Sequence, residues 1–142
     1  MNKLKFYFTM IACNFACIYA FSQVGINTTS PLSTLDINGN LSVKVINLAG
    51  SGTPTTINDG VYISINPQGQ DQEFTLPNPT LVPGRIYFIR NINNTFTAKL
   101  TTVSGLLFPK NTTTGTSQIY MYDNNSRTIT VISDGTNWTY IY

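Results

Sequence analysis

The fold is decided by one stretch, Thr128-Ile129-Thr130-Val131-Ile132-Ser133-Asp134-Gly135-Thr136-Asn137-Trp138-Thr139-Tyr140-Ile141-Tyr142. Apolar and polar side chains alternate on both sides of its Asp-Gly pair. The first run places isoleucine and valine on one face, and the second places its tryptophan and two tyrosines on one face. This period of two is what a half-buried strand requires, and Asp-Gly accepts the positive φ of a tight turn. The stretch therefore predicts a β-hairpin.

The same pattern recurs upstream. After Ser22, no segment shows a sustained helical i, i+3, i+4 pattern, and short β-rich runs alternate with turn residues instead. These runs are Leu35–Ile37, Leu41–Ile46, Val61–Ile65, Glu73–Leu76, Arg85–Asn91, Thr97–Val103 and Gln118–Tyr122. The run Arg85–Asn91 is apolar on both faces, which predicts a central strand or one held between a core and a partner subunit. The chain is predicted to be all-β.

The first 22 residues have the order of a secretory signal. Lys3 and Lys5 precede an apolar run, Phe6–Phe21, which ends in Ala20-Phe21-Ser22 with small residues at the cleavage positions. The run is shorter than the roughly 20 residues that span a bilayer, which favours a signal peptide over a membrane anchor. We therefore expect cleavage near Ser22/Gln23, no membrane span afterwards, and a secreted or cell-surface protein.

Cleavage would change the composition of the chain. Both cysteines, Cys13 and Cys17, lie in the signal, so residues 23–142 cannot form disulfides. Of the eight basic residues, Lys3 and Lys5 would be lost, which leaves six against six acidic ones. This balance gives no electrostatic footprint for nucleic acid or an anionic membrane. A lipoprotein signal ending at Cys13 is a partial match, and lipid anchoring there stays open as an alternative.

Two regions follow the signal. Residues 23–52 are rich in Gly, Ser and Thr and predict an extended β arm. Residues 53–142 contain every aromatic residue beyond the signal and predict a small antiparallel β-sandwich or β-prism-like head. The boundary is expected at Ala49-Gly50-Ser51-Gly52.

The arm carries a resemblance to known proteins. Its residues Val24-Gly25-Ile26-Asn27-Thr28-Thr29-Ser30-Pro31 and Leu35-Asp36-Ile37-Asn38-Gly39 resemble the VGIGTxxPxxxLDVxG segment of bacterial surface fibres and phage tail-fibre proteins, familiar in secreted Bacteroidetes proteins. Asn27 replaces the usual glycine, but asparagine also tolerates a left-handed backbone. Gly84–Asn91 and Ser133–Trp138 are similar to the GRxYxIRN strand and SDGTNW hairpin of such fibres. The resemblance implies an intertwined homotrimer.

The residues that carry most catalytic chemistry are missing. The chain has no histidine, and residues 23–142 have no cysteine, which excludes Ser-His, Cys-His and histidine-metal chemistry there. The carboxylates are Asp36, Asp59, Asp71, Glu73, Asp123 and Asp134, and only Asp71 and Glu73 stand close enough in sequence to suggest a catalytic pair. Asp123–Ser126 and Asp134–Asn137 offer oxygen ligands without completing a calcium loop. We predict no enzyme, no cofactor and no metal site.

A set of aromatic residues is the remaining candidate for a contact site with a ligand or another subunit: Tyr120, Tyr122, Trp138, Tyr140 and Tyr142. They suit either a platform on which a sugar stacks or packing in the core or between subunits. The favoured function is a secreted or cell-surface structural or adhesin-like β-fibre module that mediates attachment or assembly. Its partners would be its own copies, with surface glycans or other envelope or fibre proteins as further candidates. The alternative is a monomeric secreted carbohydrate-binding β-sandwich module.

Overall fold

The computed structural model describes residues 24–30, 33–124 and 127–142. It contains two compact units, one that ends at Ser42 and one that runs from Val43 to Tyr142. The expected signal peptide, residues 1–22, lies outside the described residues.

The first unit contains a small parallel pair. Strand β1 (Val24–Ile26) pairs with β2 (Leu35–Ile37), so that Val24 lies opposite Leu35 and Ile26 opposite Ile37. Asn27 follows β1 with a φ of 62°, the left-handed conformation that its position in the motif requires. Its side-chain amide donates a hydrogen bond to the Asn38 carbonyl at 3.3 Å. Asn27 thus adopts the left-handed backbone that asparagine tolerates, and its side chain also links the ends of the two strands.

The second unit is built from two β-sheets. The six-stranded sheet has the order β3-β5-β7-β11-β12-β9, and the four-stranded sheet has the order β10-β8-β6-β4. The strands are β3 (Val45–Ala49), β4 (Thr55–Thr56), β5 (Tyr62–Asn66), β6 (Gln72–Leu76), β7 (Ile86–Asn91), β8 (Ala98–Thr102), β9 (Leu107–Pro109), β10 (Gln118–Met121), β11 (Thr128–Ser133) and β12 (Trp138–Ile141). A 3₁₀ turn, Pro79–Leu81, precedes β7. The prediction of an all-β fold is confirmed.

The chain alternates between the two sheets from β3 to β10. Strands β3, β5 and β7 are parallel neighbours in one sheet, and β4, β6 and β8 are parallel neighbours in the other. The expected antiparallel arrangement is therefore wrong for this part of the head, although the hairpin β11–β12 and the pairs β7–β11 and β8–β10 are antiparallel. The reason is that each strand is followed by a crossing to the other sheet. The chain then re-enters its first sheet in the original direction, which is the arrangement of a parallel crossover.

The core lies between the sheets. In the six-stranded sheet, Ile46, Ile63, Ile89 and Ile129 stand opposite one another on four neighbouring strands. In the four-stranded sheet, Phe74, Leu100 and Ile119 form a matching row on β6, β8 and β10. Apart from the partly buried Ile46, these residues are buried in one continuous hydrophobic cluster. Because side chains alternate along a strand, each of these strands also presents a second set of side chains outward.

The compact unit begins before the boundary expected at Ala49–Gly52. Strand β3 pairs with β5, and its Ile46 and Leu48 pack against the core. Gly50 follows this strand in a tight place, because a Cβ there would meet the Gln72 side chain and would lie 3.0 Å from Pro67 Cα. The glycine therefore serves close packing inside the head, whereas the composition alone suggested a linker.

Strand β7 has the central position expected of it, third in the six-stranded sheet. Its burial alternates, with Tyr87, Ile89 and Asn91 buried and Ile86, Phe88 and Arg90 exposed. The strand thus contributes large apolar side chains both to the core and to the outer surface.

The isoleucine row predicts a large effect of a single truncation. Ile89→Ala should lower the free energy of unfolding by about 2–5 kcal/mol, because it removes buried methyl groups and leaves a cavity. Ile92→Ala, at an exposed position just after the same strand, should change it by less than about 0.5–1 kcal/mol. Urea denaturation at one fixed protein concentration measures both variants. Equal losses would show that the row is not the centre of the core.

Candidate functional site

The two aromatic residues of β12 belong to the core. Trp138 is fully buried, its indole nitrogen donates to the Pro77 carbonyl at 3.2 Å, and its ring lies 5.8 Å from that of Tyr87. Tyr140 is also buried, and its burial raises the pKa of its hydroxyl above the usual 10.0. Neither residue presents a ring face on which a sugar could stack.

The other three candidate tyrosines are accessible but separate. Tyr120 lies on β10 in the four-stranded sheet, and its hydroxyl accepts a hydrogen bond from Gln118 Nε2 at 3.1 Å. Tyr122 follows the same strand, whereas Tyr142 follows β12 in the six-stranded sheet and sets its ring edge-on to Tyr140 at 5.5 Å. The five aromatic residues are thus divided between two sheets and do not form one platform.

A different surface gathers apolar side chains that are exposed or half-buried. We name it the apolar face: the outward side chains Val45, Tyr62, Ile86, Phe88, Ile132 and Ile141 of the six-stranded sheet. One row crosses five of the six strands, because the pairing aligns Val45 with Tyr62, Tyr62 with Phe88, and Phe88 with Thr130 next to Ile141. A second row places Ile86 opposite Ile132. Ile86 and Phe88 are each 41% exposed in the single chain.

The apolar face carries almost no charge. Within the described strands of the six-stranded sheet, Arg90 is the single charged residue. It aligns with Ser64 on β5 and Thr128 on β11, in a polar row at one end of the face. Contiguous exposed apolar surface bordered by polar residues is typical of a protein-interaction site.

Sequence reasoning found only part of this face. The run Arg85–Asn91 was predicted to be apolar on both sides, and it supplies the two central residues, Ile86 and Phe88. The contributions of β3, β5 and β12 were missed, although Val45, Tyr62 and Ile141 also stand at outward positions of alternating strands. What the sequence could not indicate is that these strands become neighbours of β7, because β3 and β5 reach it only after crossings through the other sheet.

The outer face of the four-stranded sheet is polar. Glu73 lies between two donors, with Lys99 Nζ 2.7 Å from its Oε2 and Thr101 Oγ1 donating to its Oε1 at 2.9 Å. These contacts hold the pKa of Glu73 below its ordinary 4.5, and the same ion pair raises the pKa of Lys99. Pairing places Lys99 opposite Tyr120 on β10. This face therefore combines an ion pair, hydroxyl groups and one tyrosine ring.

The carboxylates have structural partners. Asp71 has a φ of 56° and accepts a hydrogen bond from Gln70 Nε2 at 3.0 Å, beside the ion-paired Glu73 in a shallow groove. Asp59 is paired with Lys44 and accepts from the Gly60 amide, which together lower its pKa. These contacts account for the left-handed turn before β6 and for the turn before β5 without any ligand.

The oxygen-rich turn Asp134–Asn137 is held by its own hydrogen bonds. Asp134 Oδ1 accepts from the Thr136 and Asn137 amides, both at 2.7 Å, and so closes the β11–β12 hairpin. Asn137 Oδ1 accepts from the Leu106 amide at 2.9 Å. Of Asp123–Ser126, the last two residues lie outside the described part of the chain. Across the described ranges, no group of three or more His, Cys, Asp or Glu side chains is arranged to hold a metal ion.

The comparisons with known proteins add no relative. The chain matches no protein-family model, no curated protein and no solved structure. The likeness of the arm to surface-fibre proteins therefore depends on its motif residues alone. In the portions of the chain that the structure describes, no helix is long and apolar enough to cross a membrane.

The pKa directions predict how stability depends on pH. The lowered pKa of Glu73 contributes stability that is present above about pH 4.5 and is lost as pH falls through its folded value. No side chain in residues 23–142 has an ordinary pKa between about 5 and 8.5, since His and Cys are missing there. We expect the free energy of unfolding to stay level across this range and to decline below it.

The substitution Glu73→Gln separates this contribution. It should lower stability at pH 7 and make the decline toward acid less steep, because the ion pair with Lys99 is then missing at every pH. Gln118→Glu, at the exposed first residue of β10 in the same sheet, is the control for a surface charge change. Urea denaturation from pH 3 to 8 gives the curves, and an unchanged acid slope in Glu73→Gln would contradict the assignment.

Proposed function

We propose that this chain is a secreted or cell-surface β-module of the structural or adhesin-like kind, which assembles with its own copies as a homotrimer and mediates attachment or assembly. The observation that carries the proposal is in the arm. The apolar side chains of the β1–β2 pair, Val24, Ile26 and Leu35, are 52%, 51% and 55% exposed in the single chain.

Such a pair has little reason to form alone. Each strand has three residues, and isolated two-stranded pairs are at best marginally stable in water. Covering the exposed apolar groups with the equivalent strands of other copies would add the burial that the pair lacks. The motif in these strands resembles that of intertwined trimeric fibres, and a cyclic trimer is a closed assembly.

Export and composition support the same proposal. Residues 1–22 have the pattern of a secretory signal, and the remainder is neutral, without cysteine and rich in Thr and Asn, with 20 and 14 residues after Ser22. A neutral chain does not repel its copies, and a domain without disulfides gains stability from assembly.

A carbohydrate-binding module is the second candidate, favoured by the polar outer face of the four-stranded sheet. There Tyr120 lies opposite Lys99, which is paired with Glu73, so that an aromatic ring stands beside groups that can bond sugar hydroxyls. Under this candidate, Tyr120→Ala should abolish glycan binding and leave the fold intact, whereas Trp138→Ala should destabilise the core. Glycan-array binding together with circular dichroism distinguishes the two effects.

The native mass tests the main proposal. Light scattering on the processed protein, residues 23–142, should give three times the chain mass at micromolar concentration. The triple variant Val24→Ser, Ile26→Ser and Leu35→Ser should raise the concentration at which the trimer dissociates by roughly 100-fold or more, because about 1 kcal/mol of apolar burial is lost at each position.

The control changes equally exposed apolar residues of the head. Leu81→Ser with Val103→Ser should leave the dissociation concentration within about threefold of the unaltered protein. A monomer at micromolar concentration in the unaltered protein would refute the trimer.

A further inference from the structure

The apolar face is the feature of the head that neither its core nor its turns explain. We propose that this face is a second contact between copies of the chain, in which the six-stranded sheets of three copies meet around the three-fold axis. This inference rests on the self-assembly proposed above. Phe88 and Ile86 would lie at the centre of that contact.

The position of the apolar residues fits the centre of an interface. Strands β7 and β11 are the two middle strands of the six, and they carry Ile86, Phe88 and Ile132 outward. Arg90 and Thr128 stand together at one end, where solvent reaches a contact most easily. On these two strands, apolar side chains occupy the middle row and one end row, and Arg90 and Thr128 form the other end row, which matches the polar margin that interfaces generally have.

Charge distinguishes the two outer faces of the sandwich. Burying the four-stranded sheet would remove the Glu73–Lys99 ion pair from water, which is costly. Burying the apolar face would enclose no charged group at its centre, and Arg90 can stay in the rim. When two copies of this face meet, no charged groups of the same sign are brought together at the centre of the contact. The six-stranded sheet is therefore the face suited to contact, and the four-stranded sheet the one suited to solvent.

The size of the face points to a second copy as its occupant. Six strands spaced by about 4.8 Å, with about five residues rising about 3.4 Å each, span a flat area on the order of 400 Å². A stable interface usually takes about 800 Å² of accessible surface from each partner, so a face of this footprint suits a contact that a second contact supports. A copy already joined through its arm is present at high effective concentration and needs only the smaller area.

A cyclic arrangement also explains how one face can serve every copy. Around a three-fold axis, each face contacts both of its neighbours, and no apolar face is left open to recruit further chains. Two copies in a simple face-to-face dimer would bury the same residues but would leave a third arm without a partner face.

The experiment changes the centre of the face in the processed protein. Phe88→Lys should raise the dissociation concentration of the trimer at least tenfold in sedimentation experiments, because it places a lysine from each copy at the axis. Val103→Lys adds the same charge at an exposed head position, and it should change the dissociation concentration less than twofold. Phe88→Leu, which stays apolar, should remain within threefold.

A second measurement covers the case in which Phe88→Lys does not fold. Because residues 23–142 contain no cysteine, Ile86→Cys and Val103→Cys each introduce one thiol. In the assembled protein, the thiol at position 86 should react with a maleimide at least tenfold more slowly than in protein diluted below dissociation. The thiol at position 103 should react equally fast in both.

The outcomes separate this inference from the proposed function. A trimer in which Phe88→Lys has no effect and the thiol at position 86 reacts freely would overturn the inference and leave assembly through the arm intact. An unaltered protein that is monomeric would refute both. Loss of the trimer in Phe88→Lys and in the arm variant, but in neither control, is the result that we expect.

Discussion

The structure of the head depends on one buried contact, that of the isoleucine row in the six-stranded sheet with the apolar row of the four-stranded sheet. Ile63 and Ile89 stand side by side on parallel strands, and Phe74 and Leu100 do so in the other sheet. Successive crossings bring β5 and β7 to one row and β6 and β8 to the other. The core therefore depends on the alternation of the chain between the two sheets. If a strand did not cross to the other sheet, the apolar residues of the first sheet would have no side chains to pack against.

In the crossing between β7 and β8, polar side chains form hydrogen bonds with backbone carbonyl groups. Asn91 is fully buried at the end of β7, and its amide donates to the Phe96 carbonyl at 3.0 Å and the Met121 carbonyl at 2.9 Å. Arg127 donates to the Asn91 and Asn93 carbonyls from the start of β11. These side chains satisfy backbone groups that neither sheet ladder reaches, since a buried carbonyl without a donor is costly.

The same alternation that fills the core also determines the two outer surfaces. On β6 and β8, the residues between the buried ones are Glu73, Thr75, Lys99 and Thr101, which bond to one another across the sheet. On β7 they include Phe88, which is 41% exposed in the single chain. One sandwich thus presents a polar surface, already satisfied by its own contacts, and an apolar surface.

The sequence by itself determined the local features. The alternation in Thr128–Ser133, the Asp134-Gly135 turn and the two-sided run Arg85–Asn91 predicted an all-β chain with a hairpin and a central strand, because these properties depend on neighbouring residues only. Only the tertiary structure decided which strands pair, since β3, β5 and β7 become neighbours through crossings whose direction no short segment encodes. It also decided that Trp138 belongs to the core and that Phe88 lies in the apolar face. A period of two assigns residues to opposite faces of a strand, and only the packing of the second sheet chooses which of those faces is buried.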